Sequence, residues 1–234
     1  MNKARLLSLI SICLLIPATL YLGLQFTGKS YYLIGTLVIL EAMLPFFVSF
    51  ERRKPQAREL VTIAVMCALA VAGRVVIQIP NFKLICAVVM LTGIAFGAEA
   101  GFMTGAVSAF ASNFFFAQGP WTPWQMLAYG LSGFLVGLLF HKCRPFASKP
   151  WIQALTFALV GFVVVAFPVG LTLDTCTLLT TQTNFNWQRA LLVYSVGLPH
   201  NLIHGGTTAA ALLLLSRPML EKLDRLKEKY GILL

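Results

Sequence analysis

The sequence predicts an all-α integral membrane protein with eight spans, and three observations carry that prediction. Of 234 residues, 58% are hydrophobic and only 11% charged, with a mean hydropathy of +0.81. A soluble domain carries about 25% charged residues. Apolar runs long enough to cross a bilayer core about 30 Å thick recur along the chain. These runs are continuously apolar rather than alternating, which excludes a β-barrel and leaves the helix as the spanning structure.

The apolar segments fall at 5–25, 31–50, 60–79, 84–98, 100–116, 122–140, 151–173 and 188–216. The connections are polar or rich in turn residues: "FTGKS", "ERRKPQARE", "IPNFK", "FGAEAG", "AQGPWTPW", "HKCRPFASKP" and "DTCTLLTTQTNFNW". The first run is longer than a signal-peptide core and lacks a small-residue cleavage site, so it is expected to stay as a helix. The fourth run is short for a span and is expected to be tilted, broken or re-entrant. Basic residues gather at the start, in the second and sixth connections and at the end, holding 14 of the 18 Lys and Arg residues. With eight spans these four places share one side, so the positive-inside rule makes both termini cytoplasmic.

Four regions follow. Residues 1–50 form a two-helix extension, 51–58 a basic cytoplasmic linker, 59–216 a six-helix bundle and 217–234 an amphipathic tail at the cytoplasmic interface. Pro199 is expected to kink the last span.

Several function classes drop out. The net charge of +10 lies in short loops between apolar runs, so no nucleic-acid partner is expected. The five cysteines form no C-x-x-C pair, which argues against disulfide and metal frameworks. "GLQFTGKS" (23–30) matches the P-loop pattern by letter. A P-loop needs a strand before it and a helix after it in a soluble α/β unit, whereas membrane segments flank this one. Catalytic residues and a catalytic cofactor are not expected either: Glu41, Glu99 and Asp174 are far apart in the topology, and no nucleophile motif appears.

Small residues recur every fourth position at Ala64, Ala68 and Ala72, and again at Gly97, Gly101, Gly105 and Ala109. Each set marks one helix face where another backbone can approach, either inside the bundle or in another membrane subunit. The opposite, external ends are polar. Arg74 and Asn81 close one span, and Asn113, Gln118, Trp121, Trp124, Gln125 and Tyr129 surround a proline-rich connection. Amides, a phenol and indoles suit a flat, partly polar organic ligand, and Arg74 either snorkels or meets a ligand anion. Asp174 opens the last external loop, which Trp187 helps to close. Asn201, His200 and His204 lie near mid-membrane, where polar side chains pair with other helices or line a functional path. H-x-x-x-H without a third ligand makes a poor metal site.

Residues 59–216 resemble the substrate-binding S components of energy-coupling factor (ECF) vitamin transporters. The resemblance rests on "AVMCALAVAGRVV", "GFMTGAVSAFASNFFFAQGPWTPWQM" and "GLPHNLIHG". It implies a six-helix S-component bundle in a bacterial cell membrane that captures a vitamin from outside. Delivery would be by toppling against a transmembrane coupling subunit, driven by two separate ATPase subunits. The small-residue stripes would be the coupling surface. The overall look is closest to cobalamin-type members, with riboflavin or another vitamin or precursor as the alternative. A secondary transporter or an intramembrane enzyme built on His200 and His204 are the rivals. The first two helices depart from the family pattern.

Overall fold

Continuous apolar runs can satisfy their backbone only within themselves, and the computed structural model accordingly shows helices and no strands among its described residues. These are 15–25, 31–52, 54–77, 82–145, 148–181 and 186–231. The helices are α1 (Ile16–Gln25), α2 (Tyr31–Arg52), α3 (Ala57–Val75), α4 (Ile85–Phe96), α5 (Ala98–Phe116), α6 (Thr122–Phe140), α7 (Pro150–Val164), α8 (Gly170–Thr181) and α9 (Trp187–Tyr230). A π-helical turn, Val165–Val169, joins α7 to α8 and contains Pro168. Proline has no N–H to give to the helical ladder, and the wider turn accommodates that loss. Of the "GLQFTGKS" stretch, Gly23–Gln25 end α1, and residues 26–30 lie outside the described part. So do Arg53, Gln78 and Asn81.

Among the described residues, three stretches are long and apolar enough to cross a bilayer by themselves: Leu33–Arg52, Thr122–Phe140 and Pro150–Thr180. Helix α4 is different. Its 12 residues rise only about 18 Å, and every one of them is buried. It is a central post rather than a lipid-facing span. Gly97, at φ 99°, turns the chain sharply from α4 into α5, a backbone conformation that favours glycine.

Around α4 the bundle closes through glycines. A Cβ on Gly101 of α5 would come within 2.6 Å of the Gly133 carbonyl oxygen on α6 and 2.8 Å of the Gly93 Cα on α4. Gly105 meets the Tyr129 carbonyl in the same way. Gly97, Gly101, Gly105 and Ala109 are all buried. This corrects their expected place on a subunit-coupling surface, because this face is taken up inside the chain. Ala64, Ala68 and Ala72 are exposed along α3.

The N-terminal extension is docked. Helix α2 packs on α5, α6 and α8 through Ile39, Met43, Phe46 and Phe47. Phe46 stacks on Phe102 at 4.1 Å and meets Phe134 edge-on at 4.9 Å. Thr19 of α1 donates to Glu41 of α2 at 2.6 Å. Leu33, Leu37, Leu40 and Leu44 face outward.

The C-terminal end is one continuous element. The amphipathic helical extension expected at 217–234 is, as far as Tyr230, the continuation of α9, a single helix of 44 residues, about 66 Å long. It runs through both Pro199 and Pro218. Leu220 and Leu223 enter the main core. Lys227 Nζ donates at 2.7 Å to the Ala95 carbonyl at the end of α4, where a cation complements the helix dipole. Arg144 grips Asp224 with both guanidinium nitrogens, at 2.5 and 2.8 Å. One expectation is corrected nearby: Asp174 lies within α8 rather than opening a loop, because the helix continues to Thr181.

Candidate functional site

Arg74, in the last turn of α3, is only 5% exposed. Its Nη1 donates to Ser112 Oγ and, at 2.9 Å, to Asn113 Oδ1, both on α5; Nη2 reaches Gln125 Oε1 on α6 at 3.4 Å. Asn113 Nδ2 donates to Gln125 Oε1 at 2.9 Å and Thr122 Oγ1 at 3.0 Å. Thr122 in turn donates to Gln118 Oε1 at 2.9 Å and accepts from the Gly119 N–H. The guanidinium also sits over Phe116, at 4.9 Å, and Tyr129, at 5.6 Å. Polar side chains so far from water persist only when they satisfy one another. This mesh ties α3, α5 and α6 together at one end.

The helical geometry explains the convergence. Gln125 and Tyr129 are one turn apart on α6 and face the same neighbours. "AQGPW" between α5 and α6 reverses the chain tightly, with Ala117 at φ 72°, and so brings Gln118 and Thr122 over the end of α5. One level deeper, the His204 ring meets Tyr129 edge-on at 6.3 Å, and its buried Nε2 has no hydrogen-bond partner among the described residues. Lys83, in the α3–α4 connection, lies 4.4 Å from the Phe116 ring centroid.

Arg74, Asn113, Gln118, Gln125, Tyr129 and His204 are thus gathered into one region. The other expected ligand residues lie elsewhere. Trp124 is buried against α2, where a Cβ on Gly35 would stand 3.0 Å from its indole. Trp121 is exposed and covers Gly119. Trp187 is 79% exposed at the start of α9. Asn201 donates to Asp174 Oδ2 at 2.7 Å across the α8–α9 contact, and Asn81 lies outside the described residues. His200 is exposed and donates to the Val196 carbonyl of its own helix at 3.0 Å, so the two histidines do not act as a pair. Sequence reading missed Ser112, Thr122 and Phe116. Thr122 carried a signal, lying one turn from both Gln118 and Gln125; Ser112 and Phe116 carried none.

An apolar helical bundle with one enclosed cationic and amide centre is the build of a membrane-embedded binding component. Residues 54–221 match the family described as "ECF-type riboflavin transporter, S component", which is most of the chain. The chain therefore belongs to that family and is a component of a membrane transporter rather than an enzyme. The match leaves α1 and α2 outside it and supports riboflavin-type rather than cobalamin-type membership. Comparison with curated proteins and with solved structures gives no match.

Proposed function

We propose that this chain captures riboflavin from outside the cell and hands it to the rest of an ECF importer. The observation that carries the choice of vitamin is the riboflavin-type family match over residues 54–221. The chemistry of the polar centre supports it. A flavin ring presents an imide edge with two carbonyl acceptors and an N–H donor, and Arg74, Asn113 and Gln125 offer donors and acceptors in kind. Tyr129 and Phe116 supply aromatic surface beside them.

In the same reading the Ala64–Ala68–Ala72 face of α3 receives a transmembrane coupling subunit. Its exposure leaves room for a helix backbone to approach closely. Two ATPase subunits outside this chain drive delivery, and the bundle topples between its two orientations. The bundle lies in the cell membrane with both termini cytoplasmic, the side that the positive-inside rule gives to the basic loops.

The test is titration of the purified chain in nanodiscs, without ATP, following quenching of flavin fluorescence. Submicromolar riboflavin binding is expected, with Gln125→Ala weakening it about tenfold, the loss expected for one buried hydrogen bond. Calorimetry with cobalamin runs in parallel. Tight cobalamin binding without flavin binding would overturn the riboflavin assignment.

A further inference from the structure

At the opposite end of α3 from Arg74, the start of α3 and the end of α9 border a groove of about 460 Å³. On α3, Arg58, Val61, Thr62 and Val65 recur at three- and four-residue spacing and share one face. On α9, Leu226 and Tyr230 are one turn apart and form the other wall. Arg58 Nη1 donates to the Tyr230 carbonyl at 3.2 Å, which sets the mouth of the groove where α3 begins and α9 stops. Two cations meet one ring there: the Arg58 guanidinium lies 5.9 Å from the Tyr230 centroid and Lys229 Nζ 5.4 Å. Neither forms an ion pair among the described residues. Deeper along α3 the groove turns apolar. Val61 and Val65 are 64% and 53% exposed, and the Thr62 hydroxyl turns back to the Arg58 carbonyl of its own helix at 2.9 Å.

We infer that this groove holds an anionic phospholipid, its phosphate beside Arg58 and Lys229 and an acyl chain along Val61, Val65 and Leu226. An occupant has to match two parts at once: positive charge at the mouth, and below it aliphatic walls that offer no free hydrogen-bonding group. Guanidinium–phosphate contacts are the strong, charge-assisted kind, and basic pockets between membrane helices on the cytoplasmic side suit anionic headgroups. A zwitterionic lipid brings its own cation to the same two cations and loses part of the match. A small soluble anion fills only the mouth and leaves the valines bare. In the orientation proposed above the lipid belongs to the inner leaflet; the site itself depends neither on that orientation nor on which vitamin the chain binds. Seated there, the lipid ties the first turns of α3, the helix with the exposed alanine stripe, to the last turn of α9.

The experiment is native mass spectrometry of the full chain in detergent, given equal amounts of dioleoyl phosphatidylglycerol and dioleoyl phosphatidylcholine. Phosphatidylglycerol should be retained at least about tenfold better, the preference that two cations near the headgroup supply. Arg58→Gln combined with Lys229→Gln should bring the two lipids within about twofold of each other. Both side chains are exposed, so the fold is expected to survive, which circular dichroism checks. Lys222→Gln combined with Arg225→Gln removes the same charge from exposed positions outside the groove and should leave the preference within about twofold of the parent's. Val65→Trp, which fills the groove, should lower phosphatidylglycerol retention at least about fivefold. Equal retention of the two lipids, a preference unmoved by the Arg58 and Lys229 changes, or one lost equally with Lys222 and Arg225 would overturn the inference. Inorganic phosphate bound in place of the lipid would assign the mouth to a soluble anion, and a lipid-free dimer broken by Val65→Trp would assign the groove to a second copy; either result overturns it as well.

Discussion

Gly101→Ala gives a sharp test of the bundle's packing. Alanine normally favours a helix interior over glycine by about 0.8–1.0 kcal/mol, so helix propensity alone says that this change stabilises. The structure says the reverse. The new Cβ would lie 2.6 Å from the Gly133 carbonyl oxygen, 2.7 Å from its carbon and 2.8 Å from the Gly93 Cα. All three are backbone atoms of α6 and α4, so no side-chain rotation relieves the contact, and α5 must move. Overpacking of this kind costs about 1–3 kcal/mol, and a clash with two helix backbones belongs at the upper end. After the propensity gain a net loss of about 2 kcal/mol remains, or about 4–8 °C in Tm for a chain of this size. The assay is thermal unfolding in detergent, followed by tryptophan fluorescence or by the reaction of the buried thiols Cys67 and Cys86 with a maleimide dye. Ala68→Gly on the exposed stripe serves as a control and should lose no more than the propensity term, about 1 kcal/mol. A Gly101→Ala protein as stable as the parent would refute the close α4–α5–α6 approach.

The remaining predictions test separate parts of the molecule. Ala68→Leu should leave flavin binding and Tm nearly unchanged while impairing uptake in cells that supply the coupling and ATPase subunits; preserved uptake would remove the coupling role from α3. Phe102→Ala, which removes the fully buried ring stacked on Phe46, should cost about 3–5 kcal/mol, and protease accessibility of α2 should rise with it. Ala117→Gly should gain about 1 kcal/mol by relieving the positive φ, read as a higher Tm. The Arg144–Asp224 pair is partly exposed, at 23% and 36%, so a double-mutant cycle should return no more than about 1 kcal/mol of coupling.

The helices and their order were legible before any coordinates, because a continuously apolar run has only one way to satisfy its backbone in lipid. Seven of the eight predicted segments reappear at nearly the same places in the chain, and of the first, Ile16–Gln25 lies among the described residues. The gathering of Arg74, Asn113, Gln125 and Tyr129 was legible too, since these lie at helix ends that the topology puts together. The two small-residue stripes show where this legibility stops. Both have four-residue spacing and both mark a face that invites a neighbour, yet one is buried against α4 and α6 and the other is bare. In water, a polar surface and an apolar core tell the faces of a helix apart. In a membrane the lipid-facing and bundle-facing sides are equally apolar, so the pattern names the face but not its occupant. The same limit hid the role of Trp124, which resembles a pocket residue in sequence and is buried against α2. Composition and spacing by themselves determined a helical membrane bundle with one polar centre; only the tertiary packing decided which apolar faces that bundle keeps for itself.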